Sequence, residues 1–499
     1  MLDRITMYRL VLYVLLAFMG VATVLAFFHL LHFSPLSLIL STIFLVIICW
    51  AMNTIFAAVF EVPANVESAF ITALILALIV DPAQSLSDLQ FLGWVAILAM
   101  ASKYILAIHK KHLFNPAAIA VAITAVAMGG TASWWIGTAS MLPAVLLGGW
   151  LIIRKLRQED VVICFCVAAL ITLSLFSPAQ GRAFYADFSQ LLLQSPLFFL
   201  ACILLTEPLT VPPTKNLRRI YSALTGIVFV PLIHLGPIYS TPELALLVGN
   251  VFSYLVSPKQ KIVLKLQKKL KIAPEIVDFV FKPSQQLAFT PGQYMEFTLG
   301  HARPDSRGNR RYFTLASSPT ENMVHLGVRF YEKSSSFKRA MYWMDGRTPV
   351  IGAQIAGDFT LPIDPDQKLV FLAGGIGITP FRSMLKYLLD TQEERDIVLF
   401  YANATAQEIV YKDILSAAST QLGVKIWYTL TNTTAIPNNW RGFVGRIHEQ
   451  MLMQAIPDYA ERTYYISGPP EMVRASEQVL KNMHIKSGQI KKDFFPGLV

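Results

Sequence analysis

The sequence predicts a two-part membrane protein, with about ten transmembrane helices followed by a water-soluble portion made of a small antiparallel β-barrel and an α/β subdomain. Three observations carry that prediction. The 499 residues are 54% hydrophobic and 15% charged, well below the charged fraction of about a quarter usual in soluble chains. The long apolar runs lie before Val256, and the dense charged stretches lie after it. Beyond that boundary, alternating segments give way to an apolar strand, a glycine loop and a helical pattern.

Apolar runs at 8–32, 36–60, 67–80, 89–109, 116–129, 138–153, 160–177, 190–206, 219–235 and 241–256 are read as spans. A helix needs about 20 apolar residues to cross ~30 Å of hydrocarbon, so the shorter runs are expected to be broken or protein-buried. An even count puts both termini on one side. Loop charge agrees, because Lys and Arg are retained in the cytoplasm. With the N-terminus inside, the inner loops hold Arg4, Arg9, Lys110, Lys111, Arg154, Lys155, Arg157, Lys215, Arg218, Arg219 and the basic run 259–271, and the outer loops hold little beyond Arg182. Lys103 is expected to snorkel to the inner surface. The net charge of +10 is thereby explained by interfacial basic residues, and nucleic acid is excluded as a partner. Residues 8–31 are too long for a signal-peptide core and are followed by further spans, so no cleavable leader is expected.

Cys49, Cys164, Cys166 and Cys202 all fall inside apolar spans, where they read as small hydrophobes. The soluble portion has no cysteine, which excludes a cysteine-ligated iron–sulfur cluster there. No metal site is expected. His29, His32, His109, His112 and His234 sit near span ends. A haem-bearing reductase or oxidase, which would require paired histidines on two helices, is the alternative.

Two polar segments interrupt the apolar half, HLFNPAA at 112–118 and TEPLTVPPT at 206–214. Either they are loop starts with proline in the first helical turn, or they are sheltered backbone at a site. Together with IGTASMLPAVLLGGWLIIRK at 136–155, they resemble the ten-helix family that contains RnfD and NqrB, membrane components of the Rnf electron-transport complex and of the sodium-pumping NADH:quinone oxidoreductase respectively. The resemblance covers most of residues 30–256. It implies flavin in the membrane half and electrons passing through it. The family's Ser-Gly-Ala-Thr segment, whose threonine carries covalent FMN, does not occur in this sequence. A non-covalent FMN or riboflavin near Asn115, Thr206 or Thr210 is the form of that expectation carried forward.

In the soluble portion, PGQYMEF at 291–297 opens a strand-rich region containing Tyr294. RRYFTLASSP at 310–319 follows and resembles the flavin-binding signature of the ferredoxin-NAD(P) reductase superfamily. The resemblance implies FAD, with Arg311 on its pyrophosphate, Phe313 against the ring in place of the usual Tyr, and Thr314 near the reactive nitrogen. Ser317 lies in the same segment. KSSSFKRAM at 333–341 falls where the superfamily places a second phosphate contact at a helix start, which assigns Lys333, Ser335 and Ser336. KLVFLAGGIGITPFRSM at 368–384 is a strand, glycine loop and helix, in which Gly374, Gly375, Gly377, Thr379 and Pro380 let backbone approach a nucleotide pyrophosphate. TYYISGPPEMV at 463–473 supplies Ser467, at the position of a cysteine in many relatives, and the turn Gly468-Pro469-Pro470. No arginine follows the strand at 397–401, which favours NADH over NADPH. Phe494 or Phe495, in the closing DFFPGLV, is expected to cover the flavin or simply to pack.

The expected division is 1–257 membrane domain, 258–364 FAD-binding β-barrel and 365–499 NAD(P)-binding α/β domain. The expected activity is an NAD(P)H-oxidising flavoprotein of the inner (cytoplasmic) membrane, with Thr314 and Ser467 at the reacting centre. Electrons pass by way of FAD into or across the membrane, to a membrane flavin, quinone or extracytoplasmic flavoprotein. A membrane-anchored reductase of a soluble acceptor is the competing reading.

Overall fold

The computed structural model describes residues 7–60, 66–108, 111–208, 210–232, 234–235, 238–257, 262–301, 305 and 309–493. Two compact units emerge, one ahead of Gln260 and one comprising Gln260–Phe495.

The first unit is helical. Its helices are α1 (Met7–Phe27), α2 (Pro35–Val59), α3 (Val66–Ile79), α4 (Leu86–Ile105), α5 (Pro116–Met128), α6 (Leu142–Leu156), α7 (Glu159–Ala179), α8 (Phe184–Leu193), α9 (Leu197–Phe199), α10 (Lys215–Phe229) and α11 (Pro242–Val256). Two short hairpins lie between helices, β1 (Ala107–Ile108) with β2 (Lys111–His112) and β3 (His234–Leu235) with β4 (Ile238–Tyr239). A helix falls in each expected apolar segment, but the ten full spans are not reproduced. Among the described residues, by length and composition, α1, α2 and α7 are able to cross a membrane alone, and α8 with the following segment adds a fourth if that pair, bent by 53°, is one span. The bend has a local cause. Pro196 interrupts the run, α9 passes into a π turn at Leu200–Leu204, and the chain then leaves the helix at Thr206-Glu207-Pro208.

Helices pack closely where a side chain is missing. A Cβ added to Gly226 of α10 would lie 2.4 Å from the Phe165 carbonyl oxygen of α7, so this pair depends on glycine, as small residues commonly permit in lipid. Outward faces keep Val24, Ile47, Trp50, Ile163 and Leu175 about half exposed, a surface suited to hydrocarbon rather than water. Lys103 does not snorkel. It is buried, and its ammonium donates to the Ser68 carbonyl at 2.9 Å and to Ser68 Oγ at 3.1 Å, acceptors supplied by the neighbouring helix α3.

The second unit has two sheets. Strands β5 (Ile262–Ala273), β6 (Ile276–Pro283), β7 (Tyr294–Leu299), β8 (Arg310–Thr314), β9 (Val324–Arg329) and β10 (Val350–Ala356) form an antiparallel sheet ordered β8-β7-β10-β5-β6-β9, with α12 (Ser336–Trp343) alongside. The expected barrel is thus a half-barrel, since β8 and β9 are the edges of this sheet. Phe279, Phe281, Phe297 and Phe337 fill its core.

The remainder alternates strand and helix: β11 (Leu369–Gly374), α13 (Thr379–Thr391), β12 (Ile397–Asn403), α14 (Lys412–Leu422), β13 (Lys425–Leu430), β14 (Phe443–Val444), α15 (Glu449–Ala455), β15 (Thr463–Ser467), α16 (Pro470–Asn482) and β16 (Ile490–Lys492). These strands are parallel and ordered β14-β13-β12-β11-β15-β16. Both faces are covered, which is why β11 and β12 are buried at every residue. The strand order switches direction between β11 and β15, and ligands of such folds bind beyond the strand ends at that crevice.

Candidate nucleotide and flavin site

Gly374 ends β11 and Ser467 ends β15, side by side at the crevice. The loop Gly375–Ile378 turns from the strand into α13, with Pro380 in the first helical turn and Thr379 Oγ1 donating to the Ile376 carbonyl at 3.1 Å. Gly375 has φ +52°, and a Cβ there would meet only Arg329 Nη1, at 3.5 Å. Gly377 differs, because its Cβ would lie 2.4 Å from the Ser467 carbonyl and 2.5 Å from the Gly468 nitrogen. The glycine loop is therefore pressed against the Ser467-Gly468 turn, and the start of α13 lies beside the open space at Gly375. Close backbone beside a helix N-terminus is the kind of geometry that suits a phosphate. Pro469 and Pro470 start α16.

A group that the motifs did not identify completes this end of the site. Ser467 Oγ donates to Asp493 Oδ2 at 3.0 Å, and Thr314 also hydrogen-bonds to the Asp493 carboxyl. Burial outweighs both bonds and pushes that carboxyl up to about 7. Thr314 and Ser467, far apart in sequence, are thus joined through one acid that holds a proton near neutrality. Asp493 stands just past β16, whose parallel pairing to β15 carries it there, and its amide donates to the Ile466 carbonyl at 3.0 Å.

On the half-barrel, β8 sends Arg311 and Phe313 to one face and Tyr312 and Thr314 to the other. Arg311 is buried and its Nη2 lies 3.1 Å from Asp305 Oδ1, while the Ser336 amide at the start of α12 donates to Asp305 Oδ2 at 3.0 Å. Ser336 Oγ accepts from the Asp305 amide at 2.8 Å, and Ser335 caps the helix by accepting from the Lys338 amide at 3.3 Å. A guanidinium and a helix N-terminus thus converge on one carboxylate, which stands where a phosphate anion would fit. Lys333 is exposed just before this helix. Phe313 packs toward the core, 5.7 Å from Phe297 and 6.0 Å from Phe337, whereas Tyr294 and Tyr312 meet edge to face at 5.6 Å on the Thr314 side. Ser317 is buried, and its carbonyl accepts from Ser383 Oγ at 2.6 Å. Arg382 reaches the Ala316 carbonyl at 3.0 Å and pairs with Glu321, so α13 is tied to the segment following β8. Phe494 and Phe495 lie outside the described residues.

In the helical unit, Asn115 caps α5, accepting from the Ala117 amide at 3.1 Å and the Ala118 amide at 3.2 Å, and its Nδ2 donates to Glu207 Oε2 at 2.9 Å. Both interrupted segments therefore meet. Thr206 and Thr210 are buried and spend their hydroxyls on the Cys202 carbonyl at 2.8 Å and the Glu207 carbonyl at 3.2 Å. The cavity lined by Asn115 and Glu207 measures about 50 Å³, whereas even a benzene ring occupies a cavity near ~150 Å³. As it stands, that cavity is smaller than an isoalloxazine.

Residues 128–261 match the NQR2, RnfD, RnfE family, and residues 371–478 match the oxidoreductase NAD-binding domain. The chain thus joins a segment matching the NQR2, RnfD, RnfE family to one matching the oxidoreductase NAD-binding domain. Among curated proteins, the glycine betaine monooxygenase reductase subunit of Chromohalobacter salexigens is 26% identical over 42% of this chain and 57% of its own length. The flavohemoprotein of Oceanobacillus iheyensis is 25% identical over 46% of this chain and 58% of its own. The chain spans less than two thirds of the length of either relative. Among solved structures, the cytochrome b5 reductase domain of Ulva prolifera nitrate reductase is similar at 22% identity with a TM-score of 0.42, over 47% of this chain and 98% of that one. The NQR2/RnfD/RnfE-family match takes in α6 through α11, and the NAD-binding match runs from within β11 into α16.

Proposed function

We propose that this chain is an NAD(P)H-oxidising flavoprotein that delivers electrons into the membrane carrying its own N-terminal half. The observation that carries the reading is the junction of Thr314, Asp493 and Ser467 beside the Gly374–Pro380 loop. Bound together, FAD and a nicotinamide dinucleotide supply the two-electron chemistry. The chain's residues do the rest. Arg311 and the α12 N-terminus, with Ser335, Ser336 and Lys333 nearby, hold the flavin phosphates, and Asp305 gives way to them. Tyr294 and Tyr312, on the Thr314 side, frame the ring, with Phe494 as a cover, while Phe313, expected against the ring, packs from the core side of β8. Gly374, Gly375, Gly377, Thr379 and the Gly468-Pro469-Pro470 turn hold the nucleotide phosphates. Asp493 holds a proton on its carboxyl, and when that proton leaves, the hydroxyls of Ser467 and Thr314 stabilise the carboxylate left behind.

The working division is 1–257, 258–364 and 365–499, in a multi-pass inner-membrane protein with both termini cytoplasmic. NADH is favoured over NADPH because Tyr401-Ala402-Asn403 and the residues just beyond present no arginine to a 2′-phosphate. The acceptor class is a lipid-dissolved quinone or an extracytoplasmic flavoprotein. The test is reconstitution of the full chain into vesicles with NADH on the side of residues 258–499. Reduction of a membrane-dissolved quinone is expected. Rapid reduction of water-soluble ferricyanide with no quinone or opposite-side dye ever reduced would overturn the reading.

A further inference from the structure

The helical unit holds a second polar construction that the reductase chemistry does not use. Lys103 of α4 and Glu207, beyond the π turn, line the same cavity of about 50 Å³ and interact electrostatically. Ser68 and Thr72 of α3, Tyr8 of α1 and Asn115 complete its polar wall, and the remaining lining is aliphatic and Met7. Its size decides the class of occupant. A water needs only about 10–15 Å³, whereas a ring needs roughly ten times more. Charge narrows it further. An ammonium already inside repels a metal cation, and Glu207 repels an anion, which leaves water and the proton.

A path toward this cavity is built on α11. Asn250, Ser253 and Ser257 follow one another at helical spacing on one face, covering about 10 Å along the axis. All three are buried, and Ser253 Oγ and Ser257 Oγ have no hydrogen-bond partner among the described residues, while the Asn250 side chain faces the Tyr221 hydroxyl. Buried groups of this kind are normally satisfied, by water when no protein atom is in reach. The row is continuous with the cavity, because Asn250 Oδ1 accepts from the Asn115 amide at 2.8 Å and Asn115 Nδ2 donates to Glu207 at 2.9 Å.

We propose that Ser257, Ser253 and Asn250 carry a hydrated path from the C-terminal end of α11 to a proton-exchange chamber formed by Glu207 and Lys103. A proton taken from water at that end forms an O–H bond on the Glu207 carboxylate, and the Lys103–Glu207 pair passes from neutral to a single positive charge. Nothing is oxidised or reduced at either residue. In the reading above, the added charge offsets electrons arriving in a low-dielectric interior, so the inference rests on that reading for its use but not for its existence. The titratable neighbours are Tyr8 on α1, Cys49 on α2, facing Lys103, and Tyr221 on α10, facing Glu207. Arg9 and Glu67, beside Ser68, pair with one another at 3.2 Å.

The test is infrared difference spectroscopy of the detergent-purified full chain, titrated in H2O and in D2O with no reductant present. A carboxylic C=O band that grows on acidification and shifts in D2O is expected, lost in Glu207→Gln. In Lys103→Met, the removal of a neighbouring positive charge moves its titration to higher pH. Ser253→Val slows its exchange into D2O. Where Glu207→Gln yields no folded protein, Lys103→Met and Ser253→Val carry the same test. Spectra unchanged by these substitutions, or a band that never exchanges, mean a static structural ion pair and overturn the proposal. Electron transfer plays no part in this measurement, so its failure is separate from a failure of the vesicle experiment.

Discussion

Ser467 Oγ and Asp493 Oδ2 lie 3.0 Å apart, bridging the end of β15 and the residue just past β16. Burial holds the Asp493 carboxyl near 7, against an ordinary value of 3.8. Its folded-state pKa is raised, so the stability linked to it is full below about pH 4 and lost as pH rises through 7. Asp493→Asn is therefore expected to match the parent protein at pH 4 and to exceed it at pH 8 by about 1–2 kcal/mol. That figure is discounted from roughly 1.4 kcal/mol per pH unit because the residue is half-buried. Thermal unfolding at the two pH values measures it. The same substitution flattens the pH dependence of NADH oxidation around neutrality.

Asp305 competes with phosphate for Arg311 and the α12 amide. Arg311→Leu removes a charge-assisted bond worth about 1.5–3 kcal/mol, which corresponds to flavin binding weakened about tenfold or more. Asp305→Asn removes the internal rival and is expected to tighten binding. Flavin titration of the stripped full chain, followed by fluorescence, reads both.

Gly377→Ala places a methyl 2.4 Å from the Ser467 carbonyl, and backbone on both sides leaves it no room. NADH-dependent reduction of ferricyanide is expected to collapse while flavin content stays near that of the parent, since the flavin-phosphate contacts lie on β8 and α12. Equal losses of both would show that the substitution unfolds the unit.

Arg462 is buried and donates to both Asp396 oxygens at 2.8 Å and to Asp458 Oδ1 at 2.8 Å. The Arg462 bond, helped by Lys368, holds the Asp458 carboxyl well below the usual carboxylate range. That stabilisation is present above about pH 4 and lost as pH falls through the depressed value. Arg462→Met is expected to cost about 1–3 kcal/mol at pH 7, less than a fully buried pair because Asp396 is half exposed. Its stability also changes less on acidification than the parent's. Urea midpoints at pH 7 and pH 2 compare the two.

Local pattern makes much of this protein legible. Gly374 to Pro380 reads as a phosphate loop because the strand, turn and helix that use it are consecutive, and Asn115-Pro116 reads as a helix start for the same reason. The bend after α8 is less legible, since an apolar run from 190 to 206 has the composition of an unbroken span whether or not it changes direction. For Lys103 local pattern points the wrong way. Snorkelling is the default for a lysine near a helix end, and only the position of Ser68 on a neighbouring helix removes the need for it.

By itself, then, the sequence determined the partition between lipid and water, the two nucleotide-type motifs and the order of strands and helices, since each depends on residues within a turn or two of one another. Tertiary structure alone decided that Asp493 joins Ser467 to Thr314, that Asp305 fills the Arg311 cradle, and that Lys103 shares a cavity with Glu207. These are charge and proton placements among residues distant in the chain. Their energies come from burial, and burial exists only once the elements have packed.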